Sequence, residues 1–326
     1  MRVLYLPLNY GSTVQDGVYD AFNQLNCQLE IFDYFEHYNN AGNNQRNVRQ
    51  MLIEVAKRFR PDLIYCQIQH TVIIDADTIN GIRNYCPMVK IVNYTIDARN
   101  YIPGPYFSVS RISDLNLITS TGQLQMYKDN NVPNIHYLQV GYNPKHYFPE
   151  VEAKSSYEFD TVFLANVNNV ENYPGHSQRI DTVHALRKAF GNRFGLFGHG
   201  WPKELKSLGS VDINLAVKNV YANSFSTISV SHFNEITHYF SDRLLMCLAS
   251  GRPTVSWHFP GYESYFVNKQ DLLIGNSPDE IVNNVKWLLE NPDRANLIGQ
   301  NGASKVFCEH TYLSRIKEML EMIGLQ

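Results

Sequence analysis

The chain has 326 residues, 44% hydrophobic and 18% charged, with a formal net charge of -3. That length exceeds one ordinary core and suits two domains of about 150 residues each, in a composition that is globular and not disordered. So mild a charge provides no strong field to recruit nucleic acid or an anionic membrane.

The five cysteines, Cys27, Cys66, Cys86, Cys247 and Cys308, are odd in number, widely spaced and without a CxxC pair. That pattern points to reduced, mostly buried thiols and against a disulfide framework or a zinc site. The N-terminus runs straight into a strand-like segment with no cleavable leader pattern. No stretch approaches the roughly 18 apolar residues of a membrane span. A soluble cytoplasmic chain is expected.

Residues 2–7, RVLYLP, form a short apolar run that ends at a glycine loop containing Gly11, Ser12 and Thr13. A helical period follows on Val14, Val18, Phe22 and Leu25, then a strand over 28–32. Strand, glycine loop, helix and strand make one βαβ unit. Residues 38–47, YNNAGNNQRN, are polar and are predicted as loop, before a helix over 48–59. Further strands are predicted at 61–69, 88–97, 114–121 and 135–144.

Residues 149–158 carry no apolar period and are assigned as a linker. The pattern then restarts, with a first strand at 159–167, a helix over 178–190 and a strand plus glycine turn at 193–201. Strands at 226–232, 253–261 and 271–277 follow, the first two flanking a short helix in SDRLLMCLASG. A helix over 279–289 and terminal helices complete the chain. Two α/β halves, each a doubly wound parallel sheet, are expected, with the ligand site in a central cleft between their strand C-termini.

Several residues at those strand ends can carry chemistry. Ser241 is placed to cap the SDRLLM helix, whose remaining N–H groups and dipole favour an anion. Asp242 lies in the first turn, and Arg243 adds a planar fork suited to phosphate oxygens. Gly198 and Gly200 follow a strand and admit close backbone approach, while Trp201 is either a platform for a flat base or a core residue. Asn166 ends the first strand of the second half, and Gly261 and Glu263 end another at the same edge. Gly11 opens the first helix of the chain, in a flexible loop that could touch a ligand phosphate or a second substrate. In the first half, Asp97 and His70 each end a strand and are candidate general bases, with structural capping or hydrogen bonding as the alternative.

Other patterns carry less. Asp75-Ala76-Asp77 imitates a metal-binding DxD but reads as a helix start, and Asn93 opens a glycosylation sequon inside a strand predicted as buried. The glycine loops do not fit GxGxxG, and there is no GxxxxGK[ST] or GxSxG.

Taken in order, FDTVFLAN with Arg179 downstream, GLFGHGW, SDRLLMCLASGRP, PGYESYF and the run from NPDRANLIG to KEML resemble the CgeB-like, spore-maturation-type glycosyltransferases of the GT-B fold. DLNLITSTGQLQMYKDNN and the residues to Pro149 resemble the passage before that family's linker. The resemblance implies two Rossmann-like domains: residues 1–150 on the acceptor side, 151–305 binding the nucleotide-sugar donor, and 306–326 a helix packing back toward the first. It implies a metal-independent hexosyl- or pentosyltransferase with no cofactor beyond its nucleoside-diphosphate sugar. Arg179 matches a family arginine that faces the diphosphate, and Asp97 stands where the family tends to keep an acid. Related retaining enzymes carry two glutamates separated by seven residues. Here those positions are His238 and Met246, and His238 remains a donor-site candidate through a phosphate or a sugar hydroxyl.

The function expected is transfer of a sugar to an acceptor hydroxyl on a glycan, protein, small molecule or modified DNA base. The alternatives are a catalytically silent sugar-nucleotide-binding or coat-maturation protein and a sugar-nucleotide epimerase.

Overall fold

A computed structural model describes residues 1–8, 16–69, 71–149, 156–167 and 173–325. The chain divides into two compact units, Met1–Val140 with Tyr312–Gln326, and Gly141–Thr311. These boundaries differ from the 150/151 and 305/306 divisions drawn from the sequence.

In the first unit the strands are β1 (Arg2–Leu6), β2 (Gln28–Ile31), β3 (Leu63–Cys66), β4 (Lys90–Thr95), β5 (Leu115–Ile118) and β6 (Ile135–Tyr137). They form a parallel sheet in the order β2-β1-β3-β4-β5-β6. Its helices are α1 (Asp16–Gln24), α2 (Tyr34–Asn40), α3 (Gln45–Phe59), α4 (Ala76–Ile82), α5 (Gly104–Ser110) and α6 (Leu124–Asp129). Alternate strand residues serve opposite faces. Leu4, Leu6, Ile64, Cys66 and Ile91 pack on Leu52 and Ala56 of α3 and Ile79 of α4. Tyr5, Tyr65 and Tyr94 pack on Val18 and Phe22 of α1 and on Ile316, Met319 and Leu320 near the C-terminus. With helices on both faces the central strands β1, β3, β4 and β5 are almost wholly buried, which is why they read as continuous apolar runs, while the edge strands β2 and β6 are partly exposed.

The second unit carries β7 (Phe159–Leu164), α7 (His176–Phe190), β8 (Phe194–Phe197), the short α8 (Ala216–Asn219), β9 (Ser224–Ser229), α9 (Asp242–Ala249) and β10 (Thr254–Trp257). β11 (Leu273–Gly275), α10 (Pro278–Glu290) and α11 (Pro292–Glu309) follow, and α12 (Tyr312–Ile323) returns to the first unit. The sheet is again parallel, in the order β11-β10-β9-β7-β8. Val183 and Leu186 of α7 and Ile281, Val285 and Leu288 of α10 cover one face, over Phe163, Leu196, Ile228 and Val255.

Local capping explains the main difference from the sequence prediction. Part of the segment predicted as loop over 38–47 is the end of α2, started by Asp33, whose carboxylate accepts from Phe35 N at 3.1 Å and Glu36 N at 3.0 Å. Asn44 then caps α3 through Asn47 N at 3.2 Å. Asp75 caps α4, accepting from Thr78 N at 2.9 Å, so this carboxylate serves a helix start. Asn93 is fully buried within β4. Among the described residues no helix is long and apolar enough to cross a membrane.

Candidate functional site

In both sheets the first strand lies between the second and the third, so the direction of winding reverses between β1 and β3 and between β7 and β9. Open α/β sheets bind ligands outside the strand carboxyl ends at such a point. In the second unit that point is occupied by Arg179, from the first turn of α7. It is 1% exposed. Its Nη1 donates to the Asn166 carbonyl beyond β7 at 2.7 Å, and its Nε to the Val230 carbonyl beyond β9 at 2.8 Å. The guanidinium therefore ties together the two strand ends that flank the switch.

Nη1 also lies 2.6 Å from His232 Nε2. Arginine has no acceptor, so the bare nitrogen of a neutral imidazole must face it. Tyr173 stacks on that imidazole at 4.7 Å, and the Gly175 N–H before α7 donates to the His232 carbonyl at 2.7 Å. A Cβ at Gly175 would press on the Ser231 and His232 carbonyls, so the approach to α7 and the turn after β9 are in direct backbone contact.

Arg243, in the first turn of α9, reaches the same edge. Its Nε donates to the Leu164 carbonyl at 2.8 Å and its Nη1 lies 3.4 Å from Ser241 Oγ. Among the described residues no carboxylate pairs with Arg179 or Arg243, and neither Nη2 has a protein partner. Burial first, and the charge of Arg243 second, push the Arg179 pKa well down. Two cations held together, neither guanidinium paired with a carboxylate among the described residues and one of them desolvated, make a site that an anion stabilises.

Ser241 does not cap α9 as its position suggested. Its side chain makes no capping bond; Oγ lies 3.5 Å from Ser231 Oγ and faces the Arg243 guanidinium. The Asp242 carboxylate accepts the Arg243 N–H at 2.8 Å instead. The serine thus orients the arginine, and the positive end of the helix dipole still faces this edge.

His238 adopts a left-handed backbone at φ 59°, with its N–H on the Pro260 carbonyl at 2.8 Å. Gly261 packs directly on its ring, where any Cβ would collide with the imidazole. Ser264 Oγ lies 3.5 Å from its Nε2, and exposed Glu263 belongs to the same 3-10 turn. The histidine and the PGYES loop are therefore one structural piece. Met246, by contrast, is 5% exposed within α9.

The GHG loop is committed to packing. Gly198 takes φ 111° and Gly200 φ 81°, and a Cβ at either would strike the carbonyl of Ala165 or Val167. Exposed Asn166 braces the same loop, accepting from His199 N at 3.0 Å. Half-buried Trp201 donates to the Ala165 carbonyl at 2.7 Å and sits edge-on to Phe163, packing contacts of the kind a core tryptophan makes.

In the first unit Asp97 lies just beyond β4, half exposed and 3.4 Å from Arg99. No helix starts directly after it; α5 begins only at Gly104. Gly11 and His70 lie outside the described residues. Among the described residues there is no group of three or more His, Cys, Asp or Glu able to hold a metal. Sequence reasoning passed over His232 and the Leu164, Asn166 and Val230 carbonyls. The available signal was a histidine three residues after a buried strand, at the edge where the other candidates gather.

Residues 179–321 match the family model described as glycosyl transferase-like. No curated protein matches the chain in sequence. Among solved structures, HepE of Anabaena in complex with UDP and glucose aligns with a TM-score of 0.69 at 12% identity, covering 99% of each chain. A glycosyltransferase from Rickettsia africae gives 0.68 at 14% identity, over 99% of this chain and 97% of that one. The lipopolysaccharide outer core galactosyltransferase WaaB gives 0.59 at 13% identity, over 99% of both. The fold is that of GT-B glycosyltransferases, two parallel-sheet α/β domains.

Proposed function

We propose that the chain is a glycosyltransferase that binds a nucleoside-diphosphate sugar through its second unit and transfers a hexosyl or pentosyl group to an acceptor hydroxyl. The observation that carries this reading is the pair Arg179 and Arg243, both hydrogen-bonded to strand-end carbonyls at the switch point and neither paired with an acid among the described residues. As the glycosidic bond breaks, negative charge develops on the leaving diphosphate. Cations and a helix N-terminus already in position stabilise it without reorganising. These groups supply positive charge from the chain itself, so the reading requires no metal ion.

UDP is the first nucleotide to test, because HepE was crystallised with UDP and with UDP-glucose. Asp97, at the carboxyl edge of the first sheet, is the proposed base for the acceptor hydroxyl. His238 and Glu263 are assigned to sugar hydroxyls; the segment before α9 and the turn after β10 that carry them pack together through Gly261. The ordered segments from FDTVFLAN to KEML support the CgeB-like branch within the GT-B class.

A second reading is a donor-binding protein without turnover. It is favoured by buried Met246 and by His238, standing where retaining relatives carry acids. Incubation with a panel of nucleotide sugars separates the two. Release of free nucleoside diphosphate supports the transferase; binding without release supports the silent protein. Interconversion of the sugar without acceptor would overturn both in favour of an epimerase.

A further inference from the structure

A cavity of about 640 Å³ lies in the second unit, against Ser250, Gly251 and Arg252 at the end of α9 remote from Arg243. The eight residues of α9 span about 12 Å at 1.5 Å per residue. The cavity is therefore separate from the diphosphate site. Its volume lies within the roughly 300–1,000 Å³ of small-molecule sites. One wall is a face of α11, where Asn296, Gln300, Ser304 and Phe307 recur at helical spacing. The other wall is aromatic and includes Tyr142 and Tyr147. The Tyr147 hydroxyl is used on the Ile213 carbonyl at 2.6 Å, which leaves its ring as an apolar surface. Phe307 is 63% exposed although it lines a cavity.

The polar end is Arg252. It is 9% exposed and among the described residues has no carboxylate partner. Its Nη1 donates to Tyr157 Oη at 2.7 Å, its Nη2 to the Ala222 carbonyl at 3.3 Å, and its Nε is buried without a partner. The guanidinium also lies 4.8 Å from the Tyr157 ring centroid. Because the Tyr157 oxygen accepts from arginine, its own O–H must donate elsewhere, and among the described residues it has no acceptor. Among the described residues this buried cation has no counter-ion and the phenol no acceptor, and both line one largely apolar cavity.

We infer that this cavity binds a small amphipathic anion. Its apolar body lies against the tyrosines and Phe307, and its carboxylate or phosphate meets Arg252 and the Tyr157 O–H. A neutral apolar guest would leave Arg252 uncompensated, and a bare inorganic anion would leave the aromatic wall wet. Only a ligand with both parts satisfies both walls. The body is aliphatic or aromatic, and the probes distinguish them.

The test is calorimetric titration of the full chain with octanoate and with 2-naphthoate, each beside its neutral alcohol. At least one acid is expected to bind at one per chain, with its alcohol at least tenfold weaker. Tyr157→Phe, which removes one hydroxyl, should weaken the acid about three- to tenfold. Ser304→Tyr, which fills the cavity while leaving Arg252 in place, should abolish binding. Nucleoside-diphosphate affinity should stay within twofold in both variants, so the outcome here is independent of the donor-site reading. Absence of binding by either acid up to millimolar concentration would overturn the inference. So would equal binding of acid and alcohol, or loss of binding in Arg243→Ala but not in Ser304→Tyr.

Discussion

Arg179 and Arg243 hang from carbonyls two residues apart at one strand end: Arg179 Nη1 on Asn166 O at 2.7 Å and Arg243 Nε on Leu164 O at 2.8 Å. They arrive from different helices, α7 and α9, yet converge because both helices start at the same carboxyl edge of the sheet. Each spends some N–H groups on the scaffold and, among the described residues, keeps Nη2 unengaged, which fixes the forks before any ligand arrives.

Replacing Arg243 by alanine removes a charged hydrogen-bond donor from the proposed diphosphate site. Such a bond contributes about 1.5–3 kcal/mol, so nucleoside-diphosphate affinity should fall about ten- to hundredfold. Met246→Ala should leave that affinity nearly unchanged. Because Met246 is buried, its loss should instead cost about 2–5 kcal/mol of stability, read by denaturant unfolding. Equal effects of the two substitutions on binding would contradict the roles assigned.

Arg179→Met removes a buried charge that has no acid partner among the described residues. The ligand-free variant should melt close to the native chain, since the desolvation cost disappears together with the hydrogen bonds to Val230 and Asn166. What it should lose is response to ligand. A site saturated to a hundred times its dissociation constant gains about 2.7 kcal/mol. The native chain should therefore show a clear rise in melting temperature with nucleoside diphosphate, and Arg179→Met little or none.

Alkaline pH should unfold the chain through its buried tyrosines. Burial holds Tyr5, Tyr65, Tyr94, Tyr106 and Tyr221 well above the ordinary phenol value, and pushes Tyr127 up to about 12. The folded state keeps these protons while the unfolded state releases them near pH 10. The stabilisation is thus fully present below about pH 10 and is lost as pH rises toward 12. Tyrosinate absorbance and loss of circular dichroism should appear together in that window.

Thiol reactivity should follow burial. Cys308 is exposed, whereas Cys66, Cys86 and Cys247 are buried, and burial pushes the Cys66 and Cys247 thiols up. A thiol-exchange reagent at pH 8 should label Cys308 rapidly in the native chain and those three only after denaturation.

The doubly wound architecture was legible because strands buried on both faces leave apolar runs of strand length, such as VLYL and LIYC, between helical periods. The α2 helix was not, because its evidence is a single capping aspartate before a polar stretch. Arg243 could be placed from sequence, since a helix start after a strand has one edge to face. The Ser241 error has a physical source: serine is a good cap, but a guanidinium two residues on competes for the same hydroxyl. Trp201 and the glycines beside it could not be assigned, because a tight turn onto a neighbouring strand end and a ligand-facing loop use the same residues. His232 acts through a contact 53 residues from Arg179, a separation no local pattern encodes.

The most direct measurement is a calorimetric titration of UDP into the native chain, Arg179→Met and Arg243→Ala, with native folding checked for each. The account predicts one site per native chain and a loss of about tenfold or more in each variant. Failure of the native chain to bind UDP or any other nucleoside diphosphate, or unchanged affinity in both variants, would contradict it.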